Sequence, residues 1–366
     1  MFILKFFSLF YSIVYFAFRG MLSLFLARIT GNNDIVSIAF IISIFNVIYA
    51  ISQTINGKMI EKFGFKYISI ICLLGIVVFN FFYIANLSFF QTLILTGLLS
   101  FCMSSATIVI TIIANSFFPK ITNIMIGLLR MILVLISGFF IAYFTGILDI
   151  KLSWVIFFCQ VLLLIASISI FFLEKIKKEN KDQNIRERDW VFWGLCLSGT
   201  FSSLAYFFFQ AGYLQVLYAE EHKSLLTYLS NGFGLGNLFV ICSFFIDFRK
   251  IATFLNVLKL LSLINIIFFG KYLEFTYLLI GVAYGNHILP LGFIAKQYKM
   301  PVFHLSLYNS VIMLLSSFGF LTVFSYVLKK IGLTQINILL FCKFFGILTI
   351  VNIVFYVFWF IKEKRA

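Results

Sequence analysis

Four cations lie in the interior of long apolar stretches of this chain: Arg19, Arg130, Lys259 and Lys343. No aspartate or glutamate lies in the interior of the same stretches, so the sequence offers none of the four a partner of opposite charge. A charged group at the centre of a membrane costs roughly 2.5–3.5 kcal/mol on insertion scales, and such residues usually mark a functional site. The four cations are therefore the first candidates for chemistry.

Arg19 lies near the middle of the first apolar stretch. A guanidinium group can hold a carboxylate or phosphate through two parallel hydrogen bonds, so its natural counter-ion here is an anionic substrate. The alternative is a structural arginine held by backbone carbonyls or bound water. Arg130 can clamp the same anion, lie near a cytoplasmic gate, or extend its head to the membrane surface. For Lys259 and Lys343 we expect such an extension or an interhelical contact.

His287 is the one histidine clearly at membrane depth, since His304 lies near the cytoplasmic end of a predicted span and His222 in a predicted outer loop. With no carboxylate available, His287 is the candidate for proton coupling, because an imidazole titrates near neutrality. The alternative is a hydrogen-bonded core histidine. Glycine and proline in the same stretch can bend the helix as a gating hinge, and these residues are Gly281, Gly285, Pro290 and Gly292.

Uncharged polar residues in the apolar stretches are the remaining substrate-binding candidates. Each can donate or accept a hydrogen bond to a solute, or instead join two helices at about 0.6 kcal/mol per contact. They are Asn46, Gln53, Gln210, Asn286, Tyr308 and Asn309.

The composition places all of these residues in a membrane. Of the 366 residues 62% are hydrophobic and only 11% are charged, whereas soluble chains carry about 25% charged residues. Since a span needs about 20 apolar residues, the sequence predicts twelve transmembrane helices in an all-α protein. Their predicted ranges are 6–27, 35–56, 67–85, 89–116, 123–147, 152–173, 190–214, 225–246, 251–269, 274–297, 302–328 and 336–361.

A polar stretch at 174–189 divides these spans six and six. It mixes charges of both signs and predicts a solvated linker between an N-terminal unit, 1–173, and a C-terminal unit, 190–366. With the N-terminus inside, roughly 18 Lys and Arg residues lie on the cytoplasmic side and roughly 6 on the outer side. This bias predicts that both termini and the linker are cytoplasmic, and it explains the net charge of +15 without a nucleic-acid partner.

The connection between the second and third spans carries a motif, Gly57-Lys58-Met59-Ile60-Glu61-Lys62-Phe63-Gly64-Phe65-Lys66. It resembles the cytoplasmic loop motif of the major facilitator superfamily, G-x-x-x-D-R-x-G-R-R/K. Glu61 and Lys62 stand for the acid and the first base, and Lys66 ends the motif. Gly57 and Gly64 allow close approach and a tight turn. Phe65 departs from the second arginine. A shorter echo, Asp247-Phe248-Arg249-Lys250, stands at the equivalent place in the second half.

Two further segments are similar to this superfamily: Asn115 to Lys120, which ends the fourth span, and Trp154 at the start of the sixth. Arg19 with Tyr49-Ala50-Ile51-Ser52-Gln53 and Gly57 also resembles a subgroup, the phagosomal transporters of intracellular bacteria, although Asn56 replaces the proline of that pattern. That subgroup is implicated in amino-acid uptake, and siderophore carriers lie close to it.

The resemblance implies two six-helix bundles with pseudo-twofold symmetry that rock about a central site. It implies that the first and fifth spans, with Arg19 and Arg130, line that site, and that the ninth and twelfth spans, with Lys259 and Lys343, are peripheral. We therefore expect a proton symporter of the bacterial inner membrane, working as a monomer by alternating access on an amino acid, organic acid or siderophore.

Other functions are disfavoured by the sequence. The glycines of residues 231–237 predict close helix packing, because no Walker lysine accompanies them. The six cysteines lie in apolar runs without a CxxC pair, so we expect no metal, disulfide or cofactor. No nucleophile triad or acid pair suggests an enzyme. The alternative that stays open is a transporter-like sensor or assembly factor that carries no solute.

Overall fold

The computed structural model describes residues 6–20, 22, 25–26, 29, 35–83, 87–117, 122–148, 152–172, 189–210, 222–243, 245–291, 293–294, 301–332 and 334–365. The predicted linker, apart from Asp189, and the hinge residue Gly292 lie outside these ranges.

Helices make up nearly all of the described chain. A 3-10 turn at Phe7–Leu9 leads into the first α-helix, a second at Gly285–Ile288 continues α12, and a π-helical segment at Leu314–Thr322 joins α13 to α14. The α-helices are α1 Phe10–Gly20, α2 Ile35–Phe63, α3 Lys66–Phe81, α4 Phe89–Met103, α5 Ala106–Phe117, α6 Thr122–Leu148, α7 Leu152–Phe171, α8 Asp189–Gln210, α9 His222–Gly236, α10 Leu238–Cys242, α11 Phe248–Phe268, α12 Leu273–Tyr284, α13 Pro301–Met313, α14 Val323–Ile331 and α15 Gln335–Arg365.

The apolar stretches of the sequence are helical, as predicted. Among the described residues, seven helices are long and apolar enough to cross a membrane, and three shorter apolar helices accompany them. The predicted break between the ninth and tenth spans is confirmed at Phe269–Tyr272, where Gly270 and Tyr272 have positive φ values of 59° and 53°. A multi-pass membrane protein follows from these helices, while the count of twelve spans stays a prediction.

The prediction that Gly57 to Lys66 form a loop is wrong for most of this segment. Residues 57–63 instead continue α2, and the connection to α3 is only Gly64 and Phe65. The run from Lys58 to Lys62 contains no residue that breaks a helix, so the chain stays helical until Gly64. Gly64 then ends the helix with φ 77°, and its N–H donates to the Ile60 carbonyl at 2.8 Å.

Some predicted spans are not continuous α-helices. The fourth is interrupted at Ser104–Ser105 and the eighth at Asn237, and the tenth changes to a 3-10 helix at Gly285. Near the first interruption, Asn56 Nδ2 donates to Ser104 Oγ at 2.6 Å and Asn56 Oδ1 accepts from Tyr67 at 2.9 Å. The asparagine that replaces the subgroup's proline is thus a buried link between three helices.

Each half of the chain packs mainly within itself. In the first half α3 lies against α7, α2 against α4, and α1 against α6 and α7; in the second half α9 lies against α12, and α11 against α12 and α15. Among the described residues, the two largest contacts between the halves are those of α2 with α13 and the π-helical segment, and those of α6 with α9 and α10. The core between these contacts is where α1 meets the second half.

Four glycines bring α9 and α12 into backbone contact, and we call them the glycine seam: Gly232, Gly236, Gly281 and Gly285. A Cβ on Gly285 would lie 2.7 Å from the Gly236 carbonyl oxygen, and one on Gly236 would lie 2.5 Å from the Val282 oxygen. A Cβ on Gly232 or Gly281 would also overlap backbone of the opposite helix. The close packing predicted for residues 231–237 is confirmed.

Candidate substrate-binding site

Arg19 lies near the end of α1 and contacts the second half of the chain. Its Nη1 donates to the Tyr15 hydroxyl at 2.9 Å, and its Nη2 donates to the Tyr284 hydroxyl at 3.2 Å. Nη2 also lies 3.7 Å from the sulfur of Met313. The residue is only 7% exposed, and its Nε has no hydrogen-bond partner among the described residues. Weak neutral acceptors thus surround a buried full charge.

Aromatic rings enclose this guanidinium. Its carbon lies 5.2 Å from the ring centre of Phe207 and 5.8 Å from that of Tyr15. Tyr15 stacks on Tyr49 at 4.9 Å between centroids, and Tyr284 stacks on Tyr206 at 3.8 Å. Ring faces attract a cation without neutralising it, so the enclosure stabilises Arg19 and leaves its charge available to an anion.

Arg130 shares these surroundings from α6. It is also 7% exposed, and it interacts electrostatically with Tyr49, Tyr15, Tyr284 and Arg19. No hydrogen bond joins Arg130 to another residue in the described part of the chain. The structure therefore brings together the two arginines that the sequence singled out. We call Arg19, Arg130 and the three tyrosines the arginine site.

His287 borders the arginine site. Its ring stacks on Tyr284 with 4.1 Å between centroids and on Phe233 at 5.9 Å, and its Nδ1 faces the Tyr284 carbonyl. Both arginines act on it electrostatically. The contacts are those of a hydrogen-bonded core histidine, and the position is also that of a group able to sense an anion bound by the arginines.

The predicted glutamines lie beside the same site. Gln210 Nε2 donates to the Arg19 carbonyl at 2.7 Å, and Gln53 Nε2 donates to Thr107 Oγ1 at 3.0 Å. The oxygens of both amides, and Nδ2 of buried Asn46, have no partner among the described residues. A buried polar group without a hydrogen-bond partner is costly. These unused groups can therefore bind a polar solute.

The other predicted polar residues have no contact with the arginines among the described hydrogen bonds. Tyr308 donates to the His287 carbonyl at 2.8 Å, which matches the alternative that such residues join helices. Asn286 Nδ2 donates to Ser202 Oγ at 2.8 Å. Asn309 is partly exposed. That Asn286 binds the substrate therefore stays a prediction, which no described contact supports.

The remaining cations differ from each other. Lys259 is 1% exposed and its Nζ donates to the Phe201 carbonyl at 3.0 Å, so its contact is interhelical and it does not reach the membrane surface. Lys343 is exposed on α15. Neither belongs to the arginine site.

The motif residues lie at the far end of α2. Gly57 and Gly64 are buried, whereas Lys62 and Lys66 are exposed, and Lys66 Nζ lies 5.0 Å from the Phe171 ring centre. The side chain of Glu61 is outside what the structure describes.

The second-half echo of the motif is a capped ion pair. Asp247 caps α11 through the Arg249 N–H at 2.9 Å and pairs with the Arg249 guanidinium at 2.6 Å. Burial raises the pKa of this carboxyl, but the bonds and charge of Arg249, with the charge of Lys250, outweigh it and leave the pKa below its ordinary value.

Sequence reasoning did not single out Tyr15, Tyr206, Phe207, Tyr284 and Met313. Tyr15 had a usable signal, because it stands four residues before Arg19 and a helix places it on the same face. The others come from distant spans and carry no charge, so only the tertiary structure identifies them.

Hydrogen bonds close the interface on both sides of the arginine site along α2. At one level Ser43 bonds the Ser317 carbonyl at 2.8 Å and the Thr322 hydroxyl at 2.6 Å. At the other, Thr54 bonds Ser310 at 2.9 Å. Eleven residues separate Ser43 and Thr54, about 16 Å along a helix. Tyr49 lies between the two levels, so the site is enclosed along this contact.

Solved structures with a similar fold include a transporter. The nucleoside transporter NupG, solved as a point mutant, superposes with a TM-score of 0.66 at 13% sequence identity and covers 97% of this chain and 99% of its own. The chain therefore shares the overall fold of that transporter. No protein-family model matches the chain, and no curated protein matches it in sequence.

Proposed function

We propose that this protein is a secondary transporter that moves a small anionic or zwitterionic solute across the bacterial inner membrane by alternating access. The observation that carries the proposal is the arginine site, where two buried guanidinium groups lie together with no carboxylate beside them in the described chain. Two such charges repel each other until an anion neutralises them. The fold of a transporter supports the same function.

The solute class follows from charge and from unused hydrogen-bonding groups. Arg19 Nε and the amide oxygens of Gln53 and Gln210 are free to bind. An amino acid, an organic acid or a siderophore offers both a carboxylate or similar anion and further polar groups. A nucleoside, the solute named for NupG, is uncharged and would leave both arginines unneutralised, so we rank it below the anions.

Alternating access would use the two largest contacts between the halves of the chain. In this proposal residues 1–173 and 190–366 form six-helix bundles, both termini lie in the cytoplasm, and the monomer is the working unit. The hydrogen bonds of Ser43 and Thr54 would break in turn as the site opens to one side and then the other.

Proton symport is the driving force we propose, and His287 is the candidate that its chemistry suggests. A proton on His287 adds a third positive charge next to Arg19 and Arg130, which the bound anion would offset. Anion and proton would then favour each other's binding, because linkage is reciprocal.

The experiment is a thermal-stabilisation screen on purified protein, followed by uptake into proteoliposomes. The screen contains amino acids, di- and tricarboxylic acids, ferric siderophores and, as an uncharged comparison, nucleosides. We expect an anion to raise Tm, since a ligand that binds only the folded state stabilises it. Nucleosides alone raising Tm would contradict the proposed solute class.

Uptake then separates a carrier from a sensor. A compound that stabilises the protein and accumulates in liposomes supports transport. Tight binding with no flux in either direction would instead favour the transporter-like sensor.

A further inference from the structure

Lys259 is a buried ammonium group in a different part of the molecule. It lies within α11, which packs in the second half of the chain, and its single hydrogen bond among the described residues goes to the Phe201 carbonyl of α8. No charged side chain described here acts on it. An ammonium has three donors and no acceptor, so two donors remain without a described partner.

A cluster of asparagines lies beside it. Asn352 of α15 donates to Asn256 Oδ1 at 3.2 Å, one turn before Lys259 on the same helix, and to Ser202 Oγ at 3.0 Å. Asn286 donates to the same Ser202 hydroxyl at 2.8 Å. The Oδ1 atoms of Asn286 and Asn352 have no partner among the described residues. Uncharged oxygens are thus available in the same layer of the bundle.

These surroundings fit both charge states of the lysine. A carbonyl oxygen accepts from an amine as well as from an ammonium, so the bond to Phe201 survives loss of a proton. The ammonium is costly in an apolar interior with no anion, whereas the amine is not. The surroundings of Lys259 therefore do not require the side chain to stay charged.

The neighbouring elements bring titratable groups, but no acid among the described side chains acts on Lys259 electrostatically. Tyr356 bonds Ser198, at 2.9 Å. The titratable groups with described side chains on these elements are Cys196 and Tyr206 of α8, Cys242 of α10, Tyr277, Tyr284 and Glu274 of α12, His287, and Cys342, Lys343, Tyr356 and Lys362 of α15.

We infer that Lys259 is a proton-binding site, at which Nζ takes up a proton from water on one side of the membrane and releases it on the other. Unlike His287, it lies apart from the arginine site, so its proton adds no third charge there. Ser202, which follows Phe201 in the chain, accepts a hydrogen bond from Asn286, which directly precedes His287. This inference goes beyond the proposed transport and does not depend on knowing the solute.

The test uses the proton itself as the probe. Proteoliposomes on a solid-supported membrane receive a pH jump from about pH 9 to about pH 6, with no solute present. A group that binds a proton within the membrane gives a transient current. We expect a transient from the wild type, and loss of it to the level of protein-free liposomes in Lys259→Gln.

Two further variants guard against a folding artefact. Lys259→Arg keeps a donor for the Phe201 carbonyl but holds its proton at all working pH values, so it too should lose the transient. Lys343→Gln removes an exposed cation and should keep it, with elution and Tm of all variants compared.

The inference is overturned if the wild type gives no transient, if folded Lys259→Arg keeps it, or if His287→Gln alone removes it. A transient without any solute uptake would leave Lys259 standing and contradict the proposed transport.

Discussion

The glycine seam and the arginine site differ in how completely they satisfy their own atoms. In the seam, backbone of α9 meets backbone of α12 so closely that no Cβ fits at Gly232 or Gly281. In and beside the arginine site, buried atoms such as Arg19 Nε and Gln53 Oε1 lack described partners. The contrast separates a region built for packing from a region that, in the proposed function, a ligand completes, and changes in the two should act on different measurements.

The largest effect on stability should come from the seam. Gly281→Ala puts a methyl group onto the Leu229 carbonyl, and we expect about 3 kcal/mol of destabilisation from this overpacking. Gly346→Ala is the matched control, because its Cβ would meet only Leu260 at 3.9 Å. Alanine favours a helix there by up to about 1 kcal/mol. Thermal unfolding in detergent measures the stability of both variants. Equal Tm changes would contradict the close packing at the glycine seam.

Arg130→Gln, in the arginine site, should lower the affinity for the anion and leave stability unchanged or higher. It removes one of two repelling charges, so we expect Tm without solute to stay level or rise. Affinity for the anion found by the stabilisation screen should fall by about 1.5–3 kcal/mol, roughly 10- to 150-fold, as for a lost charged hydrogen bond. Titration calorimetry on wild type and variant measures the ratio. A lower Tm with unchanged affinity would make Arg130 structural.

A smaller effect on anion affinity is expected from Tyr284, the residue of the arginine site that α12 contributes. Tyr284→Phe keeps the stacked ring and removes the hydroxyl that accepts from Arg19 at 3.2 Å. We expect anion affinity to change by about 1 kcal/mol, roughly fivefold. Tyr277→Phe, on the same helix, is the comparison variant. If calorimetry gives equal changes in anion affinity for the two variants, the hydroxyl of Tyr284 has no special role.

The smallest effect should lie outside both regions, at Asp247. Its folded pKa is below the ordinary value, so its ion pair stabilises at neutral pH and that stability is lost as pH falls through the folded pKa. Asp247→Asn keeps a good cap for α11 and removes only the charge. We expect a loss under about 1 kcal/mol near pH 7, since the pair is partly exposed, and none near about pH 2. A difference that persists at low pH would point to the cap instead.

The sequence was sufficient where one residue type carries the signal. Apolar runs located the helices, the glycines of residues 231–237 indicated close packing, and the cations without acids indicated Arg19 and Arg130. Helix boundaries were harder to predict. Gly57 is buried within α2 and does not end it, whereas Gly64, with its positive φ, does.

Pairings between distant spans could not be predicted from one sequence. The contact of Arg19 with Tyr284 joins residues 265 positions apart. Asn352 was missed because a single amide in the last span looks like any other polar residue until Asn256 and Ser202 are seen beside it.

Uptake by proteoliposomes containing Arg19→Ala tests the central claim most directly, with Lys343→Ala as the matched loss of an exposed cation. The labelled anion is the one that gives the largest Tm rise in the screen. If the arginine site binds the transported anion, Arg19→Ala abolishes uptake while its expression and elution match the wild type, and Lys343→Ala transports normally. Uptake by Arg19→Ala at the wild-type rate would contradict the account.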